Sequence, residues 1–422
     1  MAGAPGPLGP TSQGERIDSI DTLRGVAVLG IFLMNIPTFA LPSAAFFNPA
    51  IAGGFEGADF ATWLVSHVLF DMKMMAIFSM LFGAGVVLMA DRLVQTGRNP
   101  GAVHYRRMVW LLAIGLVHAY LIWFGDILVA YALIGMMVFP LRRLRPAWLV
   151  LIACILIPIG MVFSGLMQVM FEMMRDATDA DMTQAWEQQR PMFFPTAEEL
   201  DFERQKLMGG FIDRAIQQIP GVVVMQTVVF FMFTLWRVSG LMLLGMALHK
   251  LGVFKAERSF RFYTIMLALG VVLGGGLVVT GVGVNRANGY DPIAFFGVVG
   301  WFNYVGSVGV ALAWVALVML LCKSGVLGWP RRALAAVGQM ALTNYLSQSV
   351  IAAFIFYGWG LGYFDQLSRS ELALVVLGVW VLQLIVSPLW LSQFRFGPME
   401  WLWRSLTYFK VEPIHREKAT QP

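Results

Sequence analysis

Repeated apolar blocks of roughly 20 residues or more, the length an α-helix needs to cross a bilayer, dominate this chain. Ten of them lie near residues 22–41, 61–90, 108–124, 127–141, 147–170, 219–248, 262–283, 294–321, 333–357 and 371–392. Of the 422 residues, 58% are hydrophobic and 13% charged, whereas soluble domains carry ~25% charged residues. A soluble enzyme, a disulfide-rich secreted domain and a disordered chain are thereby excluded. The expected fold is an all-α integral membrane protein with about ten transmembrane helices.

The net charge of +5 is placed, not spread. Arg92, Arg98, Arg106 and Arg107 follow the second block, and Arg142, Arg143 and Arg145 the fourth. Lys250, Lys255, Arg258 and Arg261 follow the sixth; Lys323, Arg331 and Arg332 the eighth; Arg395, Arg404, Lys410, Arg416 and Lys418 the tenth. Every cluster falls after an even-numbered block, and the loop 42–60 has no Lys or Arg. Lys and Arg stay in the cytoplasm, so the pattern predicts ten spans with both termini cytoplasmic. The positive charge is then topological, and no nucleic-acid partner is called for. The expected partners are membrane lipids and a small-molecule substrate.

Residues 1–20 are rich in Gly, Pro and Ser, lack the pattern of a cleaved signal peptide, and read as a disordered lead-in. Two five-helix membrane halves, 21–170 and 219–392, flank an acidic extracytoplasmic helical loop at 171–218, and a basic cytoplasmic tail covers 393–422. In the loop, Thr196-Ala-Glu-Glu199 has the form of a capping box opening a helix near 197–217. Leu200, Leu207, Phe211 and Ile216 are spaced loosely like one face of it, as suits either a surface helix over the bundle or a substrate lid. Gly270 and Gly274 form a GxxxG spacing, which permits close helix approach and leaves room for a homodimer.

Ionisable groups at bilayer depth are costly and mark cavities or partners. Asp21 and Arg24 open the first block, either as an interfacial ion pair or as an entrance for a charged ligand. Asn35 follows about 21 Å further along that helix. His67 and Asp71 share a helix face while Lys73 points elsewhere, and all three are expected at the outer surface. His118 lies 11 residues beyond Arg107, deep in the third block. A neutral imidazole there can take or give a proton, or simply bond a neighbouring helix. Only Gly125-Asp126 separates the third and fourth blocks, so they form a tight hairpin. Asp126 at its tip can orient a histidine or a ligand, or cap the next helix. Arg237 sits too deep to snorkel and requires a carboxylate, backbone carbonyls or an anionic ligand. Asn344 and Gln348 share a face of the ninth block, where amides bond either neighbouring helices or a ligand. Cys154 and Cys322 sit inside apolar blocks as small hydrophobes. The sequence has no metal-type His/Cys spacing, and no HExxH, GxSxG or phosphate-loop motif.

Several strings resemble the bacterial YeiB-type family of multi-pass membrane proteins. They are Arg16-Ile-Asp-Ser-Ile-Asp-Thr-Leu-Arg-Gly25, Phe78-Ser-Met-Leu-Phe-Gly83, the stretch from His118 to Tyr131, Ala341-Leu-Thr-Asn-Tyr-Leu-Ser-Gln348, Gly397-Pro-Met-Glu-Trp401 and Arg404-Ser-Leu-Thr-Tyr408. The resemblance covers nearly the whole chain and implies the bacterial inner membrane. More distantly, the first block is similar to the opening helix of the heparan-α-glucosaminide N-acetyltransferase family and wider transmembrane acyltransferases. Those proteins pass an acyl group from a cytoplasmic acyl-CoA to an acceptor handled within or across the membrane. Asn35 stands where many of the wider family have histidine, as in the glucosaminide-acetylating branch. That branch places its essential histidine just before the second conserved helix, where the nearest residue here is His67; His118 would take its place.

The likeness implies acyl transfer from acyl-CoA, acetyl-CoA above all, with no metal. His118 would serve as base, oriented by Asp126, and Asn35 or Asn344 would steady the oxyanion. Asp21, Arg24, Arg106 and Arg107 would hold the donor, its phosphates against the cations. Arg237, Asn344 and Gln348 would meet the substrate. A carrier for a small organic anion, with Arg237 as its cation, and a non-catalytic structural membrane protein are the alternatives. The carrier class favours repeat symmetry and interrupted helices near the midplane.

Overall fold

A computed structural model describes residues 18–416, and within them all regular secondary structure is helical. Residues 18–20 of the expected lead-in already belong to the first helix; the rest of that segment lies outside the described residues. The helices are α1 (Asp18–Ala40), α2 (Gly57–Leu69), α3 (Lys73–Gln95), α4 (Pro100–Leu121), α5 (Leu128–Val138), α6 (Pro146–Arg175), α7 (Ala180–Phe193), α8 (Ala197–Leu207), α9 (Phe211–Gln217), α10 (Ile219–Val224), α11 (Leu235–Lys250), α12 (Phe260–Leu269), α13 (Gly276–Ala287), α14 (Val298–Ser324), α15 (Gly328–Gln339), α16 (Ala341–Phe356), α17 (Arg369–Gln393) and α18 (Pro398–Tyr408).

All ten apolar blocks are helical. Seven helical segments are long and apolar enough to cross a membrane: Asp18–Ala40, Gly57–Gln95, Pro146–Arg175, Phe211–Lys250, Phe260–Ala287, Val298–Ser324 and Arg369–Gln393. The other three blocks fall short for visible reasons. Helix α4 spends its opening turns on His104, Tyr105, Arg106 and Arg107, while α5 and α16 have 11 and 16 residues. Two of the long segments change their winding. Met225–Thr234 and Gly270–Gly275 are π-helical, a form that recurs at functional positions. The second block is broken at Met72, whose φ of 62° ends α2 and turns the chain into α3.

The bundle has two chemically distinct ends. At the basic end, Lys250 donates to the Leu144 carbonyl (2.7 Å), Lys323 to the Ala256 carbonyl (3.0 Å) and Ser19 to the Phe254 carbonyl (2.7 Å). At the opposite end the Ser43 amide donates to Glu203 (3.0 Å), Arg204 pairs with Asp365 and Arg369 donates to the Pro49 carbonyl (2.9 Å). The loops at each end thus hold one another. Burial pushes the Glu203 carboxyl above its ordinary range despite the Ser43 donor.

The 171–218 segment differs from expectation in two ways. The capping box is present: Thr196 accepts from the Glu199 amide and Glu199 from the Thr196 amide. The helix it opens stops at Leu207, because Gly209-Gly210 favours a break, and α9 resumes beyond it. Of the supposed apolar face, Leu207 is buried whereas Phe211 and Ile216 are exposed. Helix α7 carries no strong apolar period and was not expected.

Glycine sets the closest helix crossings. A methyl group at Gly83 would overlap the Met242 carbonyl, and one at Gly245 the Met80 carbonyl, so α3 and α11 touch backbone to backbone. Gly25 and Gly338 do the same for α1 and α15. The GxxxG pair is consumed within the chain, since Gly270 and Gly274 lie against Gly306 and Gly309 of α14. That spacing therefore no longer points to a dimer. Gly83→Ala should lower the stability of the detergent-solubilised protein by about 1–3 kcal/mol, an overpacking cost, read as a fall in thermal midpoint. Gly85→Ala, where added atoms meet open space, should leave the midpoint unchanged or raise it.

Candidate functional site

Asp126 ties the α4–α5 hairpin together. Its Oδ2 accepts from the Val129 amide at 2.8 Å, capping α5, and its Oδ1 lies 2.7 Å from His118 Nδ1. Gly115 permits the approach, since a side chain there would press on Leu128 and the Val129 amide. Both members of the pair are buried, the His118 side chain 2% exposed and that of Asp126 1%. With Asp126 Oδ1 as the acceptor of this bond, its proton lies on Nδ1 and Nε2 is the nitrogen left to accept.

That acceptor has no partner: His118 Nε2 is buried and unbonded. The Tyr345 ring, from α16, stands 5.3 Å away and the Trp123 ring 6.4 Å. Trp123 Nε1 is also buried without a partner, and the Tyr345 hydroxyl, beside the Ile127 amide, donates to nothing. Trp123 is held by stacking on Phe39 of α1 at 4.5 Å. A base, a hydroxyl and an indole N–H thus lie on three neighbouring rings with hydrogen-bonding capacity unspent. Buried polar groups are ordinarily satisfied, and an exception on this scale points to a missing guest. Asp126 also lines a cavity of about 20 Å³ with Phe124, Val129, Met225, Gln226 and Phe230, room for one water-sized molecule. Gln226, on the π-helical segment, leaves its Nε2 unbonded there.

The expected donor-binding residues gather at the basic end. Arg24 pairs with Asp21 at 2.9 Å. The Arg107 guanidinium lies 4.1 Å from the centre of the Trp403 ring, and Trp403 Nε1 donates to the Arg107 carbonyl at 2.8 Å. Arg106 lies over Phe409 at 4.8 Å, and Arg24 and Arg404 stand within Coulombic reach of Arg107. Sequence reading placed Arg404 in a tail, yet helix α18 carries it onto α4. Glu400 fixes α18 by accepting from the amides of Leu342 and Thr343 and from the Thr343 hydroxyl. Burial raises the Glu400 carboxyl above its ordinary range.

The remaining candidates are bound up within the bundle. Arg237 donates to the Tyr304 carbonyl (2.8 Å) and to Ser307 Oγ (2.6 Å), both on α14, and stacks on the Tyr304 ring at 4.1 Å. Asn344 donates to the Val337 carbonyl and Ser387 Oγ, and Gln348 to the Val28 carbonyl and Gln383, so the two amides join α16 to α1, α15 and α17. Asn35 is half-buried and its amide makes no hydrogen bond among the described residues. The surface location expected for Lys73 is wrong. Lys73 is fully buried, donating to Asn303 Oδ1 and the His67 carbonyl at 2.5 Å each, and Asn303 in turn donates to Asp71 at 2.9 Å. Asp71 meets His67 at 3.2 Å, as their shared face requires. The partner that draws Lys73 inward is 230 residues away and leaves no local signal.

A family model described as "Protein of unknown function (DUF418)" matches residues 248–410. The uncharacterized protein YeiB of Escherichia coli (strain K12) is 31% identical over 419 residues, covering 94% of this chain and 98% of the relative. The uncharacterized protein YxaH of Bacillus subtilis (strain 168) is 29% identical, covering 97% and 98%. An uncharacterized 39.9 kDa protein from the amylase 3' region of Bacillus acidopullulyticus is 25% identical, covering 97% and 99%.

The Asp126 geometry sets a stability order. Asp126→Ala leaves the Val129 N–H and His118 Nδ1–H buried without acceptors and should cost about 1–3 kcal/mol. Asp126→Asn keeps an acceptor for one of them and should cost less. Thermal unfolding of both variants in one detergent checks the order.

Proposed function

The chain belongs to the YeiB-like family of multi-pass bacterial membrane proteins, and from that premise we propose that it is an acyltransferase of the inner membrane. It takes an acyl group from cytoplasmic acyl-CoA, acetyl-CoA first among them, and passes it to a small saccharide or lipid acceptor. The carrying observation is the Asp126–His118 pair, with His118 Nε2 buried and unbonded beside two unbonded donors.

The chemistry follows from those atoms. Nε2 accepts the proton of the acceptor hydroxyl or amine as its oxygen or nitrogen attacks the thioester carbon. Asp126, touching Nδ1, steadies the imidazolium that forms. The Tyr345 O–H and Trp123 Nε1–H are the donors left to meet the developing oxyanion, since neither proton is given to another group. In this role they displace Asn344, whose amide is spent on Val337 and Ser387. The intermediate collapses by breaking the carbon–sulfur bond. The proton on Nε2 then passes to the departing thiolate, and His118 is restored.

Helix α4 supplies the spacing. Arg106 and Arg107 sit near its start and His118 three turns later, about 16 Å at helical rise. That separation suits a donor whose phosphates rest on cations at one end while its pantetheine arm delivers the thioester to the other. Placing the basic end in the cytoplasm by the distribution of Lys and Arg puts the donor where acyl-CoA is made. In this reading the chain crosses ten times with both termini inside, α4, α5 and α16 completing the count. The carrier reading loses its main support, because Arg237 commits both terminal nitrogens to α14.

Purified protein in lipid nanodiscs should bind acetyl-CoA by calorimetry. Arg106→Ala and Arg107→Ala should each weaken that binding about tenfold, as a lost charge-assisted contact does. His118→Ala should leave binding intact and reduce acyl transfer by about 10²–10⁴-fold. Folded protein that binds no acyl-CoA of any chain length overturns the proposal. Reporters inserted at residue 97 and residue 178 should mark opposite sides of the membrane, and a reporter on the C-terminus should match residue 97.

A further inference from the structure

The 171–218 segment folds back over the hairpin tip and carries a buried cation there. Arg214 of α9 is 8% exposed. Its guanidinium lies 4.6 Å from the centre of the Tyr357 ring and donates a long hydrogen bond, 3.4 Å, to the Tyr357 hydroxyl. No carboxylate among the described residues pairs with it, and its Nε is unbonded. The next residues repeat the pattern with the opposite polarity. Gln218 donates from Nε2 to the Tyr120 carbonyl at 2.7 Å, two residues beyond His118 on α4. The Oε1 atoms of Gln217 and Gln218 are buried and accept nothing. Tyr357 joins this roof to the histidine through a chain of rings: Tyr357 to Phe39 at 6.1 Å, Phe39 to Trp123 at 4.5 Å, Trp123 to His118 at 6.4 Å.

Burying a cation without its counter-ion is costly, and each unmet acceptor adds to the cost. The set has a consistent chemistry nonetheless. It offers one guanidinium for an anionic group and two amide oxygens for hydroxyl or amine hydrogens, a few residues from a base that would deprotonate a nucleophile. We propose that Arg214, Gln217 and Gln218 form the acceptor subsite, and that the acceptor is a small hydroxylated or aminated molecule bearing a carboxylate or phosphate. This assignment rests on the acyltransferase reading for its chemistry, but its binding is separable from donor binding. The cavity beside Asp126 holds only a water-sized molecule and is lined by none of these three residues, so admission of an acceptor between them and His118 requires α9 to shift outward. The adjacent Gly209-Gly210 break, with positions 208–210 outside either helix, provides the hinge.

The test uses the full chain in nanodiscs and two anionic probes with hydroxyls: glucuronate in solution, and phosphatidylglycerol in the bilayer. Glucose and phosphatidylcholine nanodiscs are the uncharged and zwitterionic controls. Wild-type protein should show a higher thermal midpoint and saturable binding with one anionic probe and not with its control. The probe that works distinguishes a free acid from a lipid headgroup. Arg214→Gln should weaken that binding about 10- to 100-fold while leaving the affinity for acetyl-CoA unchanged. Arg214→Lys keeps the charge and should retain most of the binding. Gln217→Leu tests the subsite where Arg214→Gln does not fold, and should weaken the anionic probe without touching acetyl-CoA. Binding of neither anion to wild type, or equal binding by wild type, Arg214→Gln and Gln217→Leu, overturns the subsite. Loss of acetyl-CoA binding with probe binding intact overturns the donor reading and leaves the subsite standing.

Discussion

Inside a bundle surrounded by hydrocarbon there is no water to complete a hydrogen bond, so every polar atom has to find its partner within the chain. Most of this architecture follows from that constraint. Lys73, Asn303 and Asp71 form a closed relay between the start of α3 and α14. Arg237 hands its terminal nitrogens to a carbonyl and a hydroxyl of α14. Asn344, Gln348 and Gln383 link three helices. Single buried atoms elsewhere also lack partners, among them Arg237 Nε, Gln348 Oε1 and Trp301 Nε1, whereas at the hairpin tip three such atoms sit on neighbouring rings. They belong to His118 of α4, Trp123 of its following turn and Tyr345 of α16, with the α9 cation Arg214 beyond them on Tyr357.

The two ends of the bundle divide the chemistry. Cations collect at one end, fixed by aromatic faces: Arg107 on Trp403, Arg106 on Phe409, Arg404 on Phe396. Aromatic packing orients a guanidinium without neutralising it, so the charges of Arg106 and Arg107 remain available to a phosphate. Towards the other end the His118 imidazole, the Trp123 indole and the Tyr345 phenol form a neutral and weakly basic patch among apolar rings, with the charged Glu203, the Arg204–Asp365 pair and Arg369 beyond it. Helix α4 runs between the two and carries a member of each. A reaction that takes a highly charged donor on one side and a proton-bearing acceptor on the other requires such a separation.

What could be read from the residues alone follows the range of the interactions. The hydrophobic blocks are local, and each one is helical. The His118–Asp126 contact is nearly local, eight residues across the turn at 122–127, and was visible as a hairpin with a polar tip, though the turn is longer than the two residues expected. The capping box at Thr196 is local and is present. Lys73 was misplaced because Asn303, which brings it inside, is distant in sequence. The break between α8 and α9 was available in Gly209-Gly210 but was outweighed by a weak apolar period. The GxxxG spacing was legible as a close approach, though not as one made within the chain. The roles of Trp123, Tyr345 and Arg214 had no sequence signal, because being unbonded is a property of surroundings assembled from four distant segments.

A structural explanation of the hairpin would need only part of what is there. Asp126 caps α5 through the Val129 amide whether or not His118 is beside it. A leucine or phenylalanine at position 118 would fill the same buried space with no polar atom to satisfy, as most core positions in this bundle do. Retaining an imidazole instead leaves Nε2 unbonded, and leaving the Tyr345 O–H and Trp123 N–H without acceptors beside it multiplies the expense, each at about 1–3 kcal/mol. Such a concentration of unmet hydrogen bonds is unfavourable for the empty protein and becomes favourable once a guest supplies the missing partners. A tetrahedral intermediate does so: its oxyanion accepts from two donors, and its attacking group has just given a proton to the one base.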